Sequence, residues 1–451
     1  MKIVIVGCGN VGYHLADLLV NEGHNIVVID NHAKTIKKRV ETLDIMGVYG
    51  NGSYYDVQMD ADVPNADLLI AATPRDEINM LCCLLAKKLG AKATIARVRD
   101  PKYSRQLHLF KDDLSLSMSI NPELAAAQEV VRLLKFPSAI KIDTLAKGLV
   151  ELVQFRLTED NPLVDKELQA ISSRYSHNIL ICAVERDADV QMPTGSYKLQ
   201  KNDKVHLIGK SKAITHFFKS INQFQPKSKH ILIVGGGHIA YHIARQIIPL
   251  GMKVKIIDNN QARCEELCEL LPKADIVHGD GTDQTLLLSE GMDGTDSFIA
   301  LTGSDEANLL ISMFAKSHHI NKVITKINRT NYMELMQQLG IDSIISQQFI
   351  TSNTIARYVR SMQNKNDTSV KTLYKIINDK AEALEFVASE DTRHLGEPLH
   401  QLSLKTNLLI AALVREGKVI IPDGNDSIMR DDTVIVITTN KQLSDLNDIY
   451  K

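Results

Sequence analysis

The chain opens on an apolar run from Lys2 to Val6, breaks at glycines 7, 9 and 12, and resumes with a helical spacing of apolar positions over 11–22. This alternation continues through the first third of the chain. Apolar-rich runs at 2–6, 26–29, 45–49, 68–72, 93–98 and 114–120 predict strands. Helix-period patterns at 11–22, 32–42, 53–60, 75–89, 101–110 and 122–135 predict helices between them. Pro122, directly after Asn121, suits the first turn of the last helix. Six strands with intervening helices predict a doubly wound parallel sheet, an α/β class of fold.

Beyond residue 135 the period changes. Val153, Phe155 and Leu157 alternate with Gln154 and Arg156 over 149–157, the mark of a half-exposed strand. Further strands are expected at 179–184 and 205–208, a turn at Pro193-Thr194-Gly195, and helices at 165–172 and 211–221. Together these make a small α+β unit.

The whole pattern then recurs. His230 to Ala240 matches Lys2 to Gly12 at an offset of 228, and from about residue 50 the offset is 229. Gly50-Asn51-Gly52-Ser53 pairs with Gly279-Asp280-Gly281-Thr282, and Asp76-Glu77-Ile78-Asn79 pairs with Asp305-Glu306-Ala307-Asn308. Asp203 pairs with Asp432. The expected organisation is two tandem copies of a parallel-sheet (Rossmann-like) domain, 1–135 and 229–360. Each is followed by a small α+β domain, 140–222 and 371–451, and the polar stretch 225–229 links the copies.

The turn after the first strand carries the chemistry. Gly7-Cys8-Gly9-Asn10-Val11-Gly12 lies between a strand and a helix, and Asp30 ends the second strand eighteen residues after Gly12. This is the dinucleotide-binding fingerprint: Gly7 for the tight turn, Gly9 for close approach of a pyrophosphate, and Gly12 for helix–sheet packing. The helix start offers N–H groups and a positive dipole end to phosphate, and the acid accepts from a ribose diol. The second copy reads Gly235-Gly236-Gly237-His238-Ile239-Ala240, with Asp258 as the acid. Asn51 and Gly52, with Asp280 and Gly281, follow the third strands at the crevice, where they either contact ligand or cap the next helix. Thr73 and Pro74, with Thr302 and Gly303, follow the fourth strands at the same edge. Arg97 and Arg99 end the fifth strand, where a cation neutralises a phosphate or pairs with a carboxylate. Their counterparts are Lys326 and Asn328, so the first site has the stronger anion clamp.

Composition excludes several classes. With 52 basic and 54 acidic residues the net charge is −2, which gives no basic surface for nucleic acid. The longest apolar run, 408–414, is far short of the roughly 20 residues of a spanning helix. A core strand beginning at Lys2 leaves no room for a signal peptide, so any membrane association is expected to go through a partner. The six cysteines show no metal spacing and read as buried thiols. No His, Tyr or Cys recurs at matching positions of the two small units as an acid/base group would. His14, His318 and His319 lie in helical patterns, and the matched pair Lys212 and Lys441 reads as surface charge. The fingerprint is present twice without a catalytic partner, which favours sensing over turnover. A nicotinamide-dependent oxidoreductase is the competing class.

On these residues the chain resembles the TrkA family, cytosolic regulatory subunits of Trk potassium-uptake systems built from RCK (KTN) domains. The two glycine turns with their acids, the Asp76-Glu77-x-Asn79 and Asp305-Glu306-x-Asn308 helix starts, and Ile95-Ala96-Arg97-Val98-Arg99 carry the resemblance, which spans the chain. It implies a homo-oligomeric ring, expected as a tetramer, docked on the inner face of a Trk-type potassium-transporting membrane protein. It also implies gating by NAD(H) and ATP/ADP rather than catalysis, and small domains that contact neighbours or hold an effector. Regulation of another cation transport system is the alternative within this class.

Overall fold

The computed structural model describes all residues except 101–102, 104–115, 176–177, 188, 330–331, 364–371, 377–379, 441–442 and 444. The chain forms two compact units, one of Met1–Val131 with Lys229–Ala356 and one of Arg132–Ser228 with Arg357–Lys451.

The first unit contains two parallel six-stranded sheets. One is built from β1 (Lys2–Val6), β2 (Asn25–Asp30), β3 (Met46–Tyr49), β4 (Leu68–Ala71), β5 (Ala93–Arg97) and β6 (Met118–Ile120), in the order β3-β2-β1-β4-β5-β6. Burial of both faces explains the continuous apolar strands: Ile3, Val4, Ile5, Leu68, Leu69 and Ile95 are inaccessible to solvent. The order reverses between β1 and β4, which opens a crevice at the carboxyl ends of those strands. Helices Asn10–Asn21, Ala33–Leu43, Tyr55–Asp60, Asp76–Leu89 and Pro122–Lys135 lie within two residues of their expected starts. The expected helix at 101–110 falls outside the described residues, apart from Tyr103.

The small α+β part that follows this sheet contributes β7 (Lys141–Leu145), β8 (Val150–Arg156), β9 (Ile179–Arg186), β10 (Asp189–Gln191) and β11 (Lys204–Gly209). The second parallel sheet is β12 (His230–Val234), β13 (Lys253–Asp258), β14 (Asp275–His278), β15 (Ser297–Ala300), β16 (Lys322–Lys326) and β17 (Ser343–Ile345), ordered β14-β13-β12-β15-β16-β17. Within the first unit the two copies touch. The His14 ring on helix Asn10–Asn21 meets Phe349 of helix Gln347–Gln363 edge-on, with centroids 4.6 Å apart.

The second unit holds two antiparallel five-stranded sheets, β10-β9-β11-β8-β7 and β18-β19-β22-β20-β21. The latter uses β18 (Thr372–Ile376), β19 (Ala381–Val387), β20 (Leu408–Arg415), β21 (Lys418–Ile420) and β22 (Thr433–Thr438). Leu152, Cys182, Ala183 and Ile208 share one core with Ala383, Ala411, Ala412, Ile435 and Ile437 from the other sheet. The small alanines let the two faces approach closely. Two strands of the first of these sheets escape the sequence pattern. β7 and β10 are edge strands with mixed exposure, so they lack a clean alternation. The helix expected at 165–172 runs instead over Leu168–Tyr175, and its counterpart in the second copy is a single 3-10 turn, Leu399–Gln401.

The repeated aspartates of these small units have a clear role. Asp203, 1 % exposed, receives Nε and Nη2 of Arg186 at 2.8 Å each, and Asp432 receives Arg415 at 2.9 and 2.8 Å. Each also accepts from a backbone N–H, of Gln200 or Met429, at 2.8 Å. A planar guanidinium matches a carboxylate in this two-bond geometry, and the loop before the last strand is fixed by it.

Candidate functional site

The glycine turn is shaped by close backbone approach. Gly7 adopts φ +97°, and a Cβ there would stand 3.0 Å from the backbone of Ala72 and Thr73, where the loop after β4 crosses. A Cβ on Gly12 would lie 1.9 Å from the Gly7 carbonyl oxygen. Gly235 repeats the geometry at φ +103°, while Ala240 fills the third position in the second copy. A Cβ on Gly9 or Gly237 would meet nothing within 4 Å, so the approach over the turn is open. Both are N-caps without a side-chain cap, so the first N–H groups of helices Asn10–Asn21 and His238–Ile247 remain available to an anion. Those are the groups around Asn10, Val11, His238 and Ile239.

Each acid is tied to its turn. Asp30 Oδ2 accepts from Cys8 N at 2.6 Å and Oδ1 from His32 N at 2.9 Å. Asp258 accepts from Gly236 N at 2.6 Å and Asn260 N at 2.8 Å. An arginine that the sequence pattern did not reveal joins each site. Arg39 donates to the carbonyls of Cys8 and Gly9 and lies over the Tyr13 ring at 4.9 Å. Arg263 Nε donates to the Gly236 carbonyl at 2.8 Å. These two arginines occupy non-equivalent positions on the helices after β2 and β13, so comparison of the copies does not bring them out. A cation nine or five residues after the acid was the signal available.

The loops after β3 and β14 are self-contained. Asn51 Oδ1 accepts from Ser53 N and Oγ at 3.1 and 2.9 Å, and Asp280 Oδ1 from Thr282 N and Oγ1 at 2.9 and 2.8 Å. Ser53 and Thr282 do not cap the next helix, since the caps fall at Tyr54 and Asp283. A Cβ on Gly52 would come 2.3 Å from Val6 Cγ1, and one on Gly281 2.2 Å from Val234 Cγ1, so both glycines let the loop pass over the end of the first strand.

The Asp-Glu-x-Asn helix starts build the other wall. Asn79, fully buried, accepts from Thr73 N at 2.8 Å and Oγ1 at 2.6 Å, and donates to the carbonyls of Thr73 and Arg97 at 3.0 and 2.9 Å. Asn308 joins Thr302 to the Lys326 carbonyl in the same way. Asp76 Oδ2 accepts from Arg99 N and Asp100 N at 2.8 Å each, and Asp305 accepts from Asn328 N and Arg329 N. The motif therefore latches the loop after β4 to the end of β5. Arg99 serves that wall, donating to the Pro74 carbonyl. Gly303 takes the Pro74 position in the second copy, with open space around it.

Arg97 and Lys326 point into less solvated surroundings. Burial pulls both below their ordinary pKa values, opposed by nearby carboxylates. Arg97 Nη2 lies 3.5 Å from Glu123 Oε1. Glu123, on helix Pro122–Lys135 of the first copy, also lines a cavity of about 160 Å³ in the second copy with Gly237, His238, Ile239, Ala240, Leu301, Lys326 and Gln347. This is the β12/β15 crevice, at the switch in strand order.

The TrkA-N domain model matches residues 3–117 and 231–347, and the TrkA-C domain model matches 152–222 and 383–451. The chain belongs to the TrkA family. Two members show how complete the match is. The chain is 32% identical to the Trk system potassium uptake protein TrkA homolog 2 of Methanosarcina mazei, over 100% of both chains. It is also 32% identical to the Trk system potassium uptake protein TrkA of Vibrio alginolyticus, over 100% of this chain and 99% of that one. Among solved structures, the GsuK channel bound to NAD shares the fold with a TM-score of 0.63 at 17% identity, over 98% of this chain and 77% of that one.

In this TrkA-family chain, other side chains single themselves out less. Among the described residues no group of three or more His, Cys, Asp or Glu could hold a metal, and no helix is long and apolar enough to cross a membrane. Burial raises the Cys82 and Cys182 thiols to about 12. Cys268 departs from the expectation of buried thiols and is exposed. His318 and His319 follow helix Asp305–Ser317 rather than lying in it, His319 with φ +59°.

Proposed function

We propose that this protein is a nucleotide-sensing regulatory subunit of a Trk-type potassium-uptake system. The observation that carries this is full-length similarity to TrkA proteins, joined to two glycine turns whose open helix starts and tethered acids stand at the switch points of their sheets. Residues 1–135 and 229–360 bind NAD(H) and ATP/ADP, and the small domains 140–222 and 371–451 pass the change on. Support for the ligand class comes from a shared fold: GsuK structures bear NAD or ADP. Phosphate rests on the N–H groups at Asn10–Gly12 and His238–Ala240, and Asp30 and Asp258 accept from ribose. Arg97, Arg99 and Lys326 supply cations.

The subunit binds without turnover, assembles as a ring of four chains, and docks on the cytoplasmic face of a potassium-transporting membrane protein. A two-state ring shifts only by the ligand's differential affinity for its two shapes. Four tenfold preferences amount to about 5.5 kcal/mol, enough to invert a 1:99 population. Scattering of the full chain with NAD⁺, NADH, ADP and ATP in turn, beside an assay of nucleotide turnover, tests this. Distinct shapes with intact nucleotide are expected. One shape throughout, or rapid hydride transfer to a metabolite, contradicts it.

A further inference from the structure

The two copies meet different charges at their crevices. The first sheet ends in Arg97 and Arg99, and the second in Lys326 and Asn328. The loops after the fourth strands carry Arg75 and Ser304, and those after the third strands carry Asn51 and Asp280. The largest difference comes from the helix that follows the sixth strand. β5 ends paired with β6 at Arg97 and Ile120, and β16 with β17 at Lys326 and Ile345. Three residues further on stand Glu123 in the first copy and Gln348 in the second. Glu123 is not a surface charge. It is 7 % exposed, its Oε1 faces Arg97 at 3.5 Å, and its Oε2 is buried without a hydrogen-bond partner. It lines the second copy's cavity beside Gly237, His238 and Lys326, and burial with the neighbouring His238 lowers the His242 pKa there while Glu123 opposes that shift. The helix Gln347–Gln363, which carries Gln348, reaches the first copy in turn through Phe349 and His14.

We propose that Glu123, supplied by the first copy, sets the charge preference of the second nucleotide site, which thereby takes a dinucleotide or monophosphate in preference to a triphosphate. This rests on the reading of the two crevices as nucleotide sites. A buried carboxylate beside a phosphate-binding turn repels each added phosphate charge, and the low local dielectric makes that repulsion long in reach. Lys326 balances one negative charge, and with Glu123 beside it none is left over. The first sheet ends in two arginines, so one is left over when Arg97 is set against Glu123, and the residue matching Glu123 in the second copy is the uncharged Gln348. The first site therefore remains the site for the triphosphate.

The test is calorimetry on the full chain in EDTA, titrating AMP, ADP, ATP and NAD⁺ into wild type, Glu123→Gln and Gln348→Glu. Glu123→Gln is expected to tighten ATP at the weaker of the two sites about tenfold while changing NAD⁺ less than threefold. The gain should shrink as salt is raised, which a purely structural effect would not do. Gln348→Glu is expected to weaken ATP at the tighter site. Unchanged ATP-to-NAD⁺ ratios in both variants, with wild-type binding intact, overturn the assignment of Glu123 alone. Absence of all nucleotide binding in the wild type overturns the functional reading, and this inference with it.

Discussion

Asp30 accepts the Cys8 N–H at 2.6 Å, so the acid at the end of β2 braces the glycine turn in addition to the ribose contact proposed for it. Replacing it therefore has two effects that substitution chemistry can separate. Asp30→Ala, in an Asp258→Ala background that isolates the first site, is expected to weaken NAD(H) by about 10- to 150-fold, the cost of a charged hydrogen bond of about 1.5–3 kcal/mol. Asp30→Asn keeps an acceptor for the turn and should lose less. Calorimetry on the full chain reads both, and equal affinity in all three proteins would place the ribose elsewhere.

Asn79 joins Thr73 to the carbonyl of Arg97 and is fully buried. Its replacement by Ala leaves several of these groups unpaired, an expected loss of about 2–4 kcal/mol in unfolding free energy. Asn308→Ala should cost about the same, because its bonds are the same. Chemical denaturation checks the pair. A loss below about 0.5 kcal/mol in both would show that the latch contributes little.

These residues also show what is legible in the sequence. The parallel sheets are plain because β1, β4 and β5 are buried on both faces and read as uninterrupted apolar runs. The doubled copy is plain because glycines and acids stand at fixed spacing. The Asp76 and Asn79 motif is visible, but its role is not, since acidic residues at a helix start are favourable in themselves. Its tertiary hydrogen bonds to residues 73, 97, 99 and 100 leave no local trace. β7 and β10 escape the pattern because edge strands need bury little. Glu123 gives no signal because its position is set by a helix that reaches across to the other copy, a relation that no period within one copy encodes.

Arg97 is expected to act on anions. Arg97→Ala should weaken ATP more than adenosine, and Arg97→Lys should restore only part, since a point charge replaces the planar fork. Titration of both ligands into the three proteins decides it. Equal losses for ATP and adenosine would mean that the effect comes from leaving Glu123 unpaired.

His206 in β11 is 3 % exposed, its Nε2 lacks a partner, and burial with Lys141 and Lys204 nearby depresses its pKa to about 3. The folded value lies below the unfolded one, so the unfolded chain binds the extra proton first. The neutral histidine's contribution is complete above about pH 6.5 and is lost as pH falls from there toward 3, by up to about 1.4 kcal/mol per unit. His206→Leu should flatten this slope in denaturation experiments across pH 7 to 4. An unchanged slope would assign the acid sensitivity to other groups.

Reconstitution with a Trk-type potassium-transporting membrane subunit in vesicles tests the central claim most directly. Potassium flux is measured with no nucleotide, and with NAD⁺, NADH, ADP or ATP, using wild type and the Asp30→Ala/Asp258→Ala double variant. The account predicts flux that depends on this protein, changes by severalfold between nucleotides, and loses its NAD(H) response in the double variant. Flux that is the same with and without nucleotide in the wild type would contradict it.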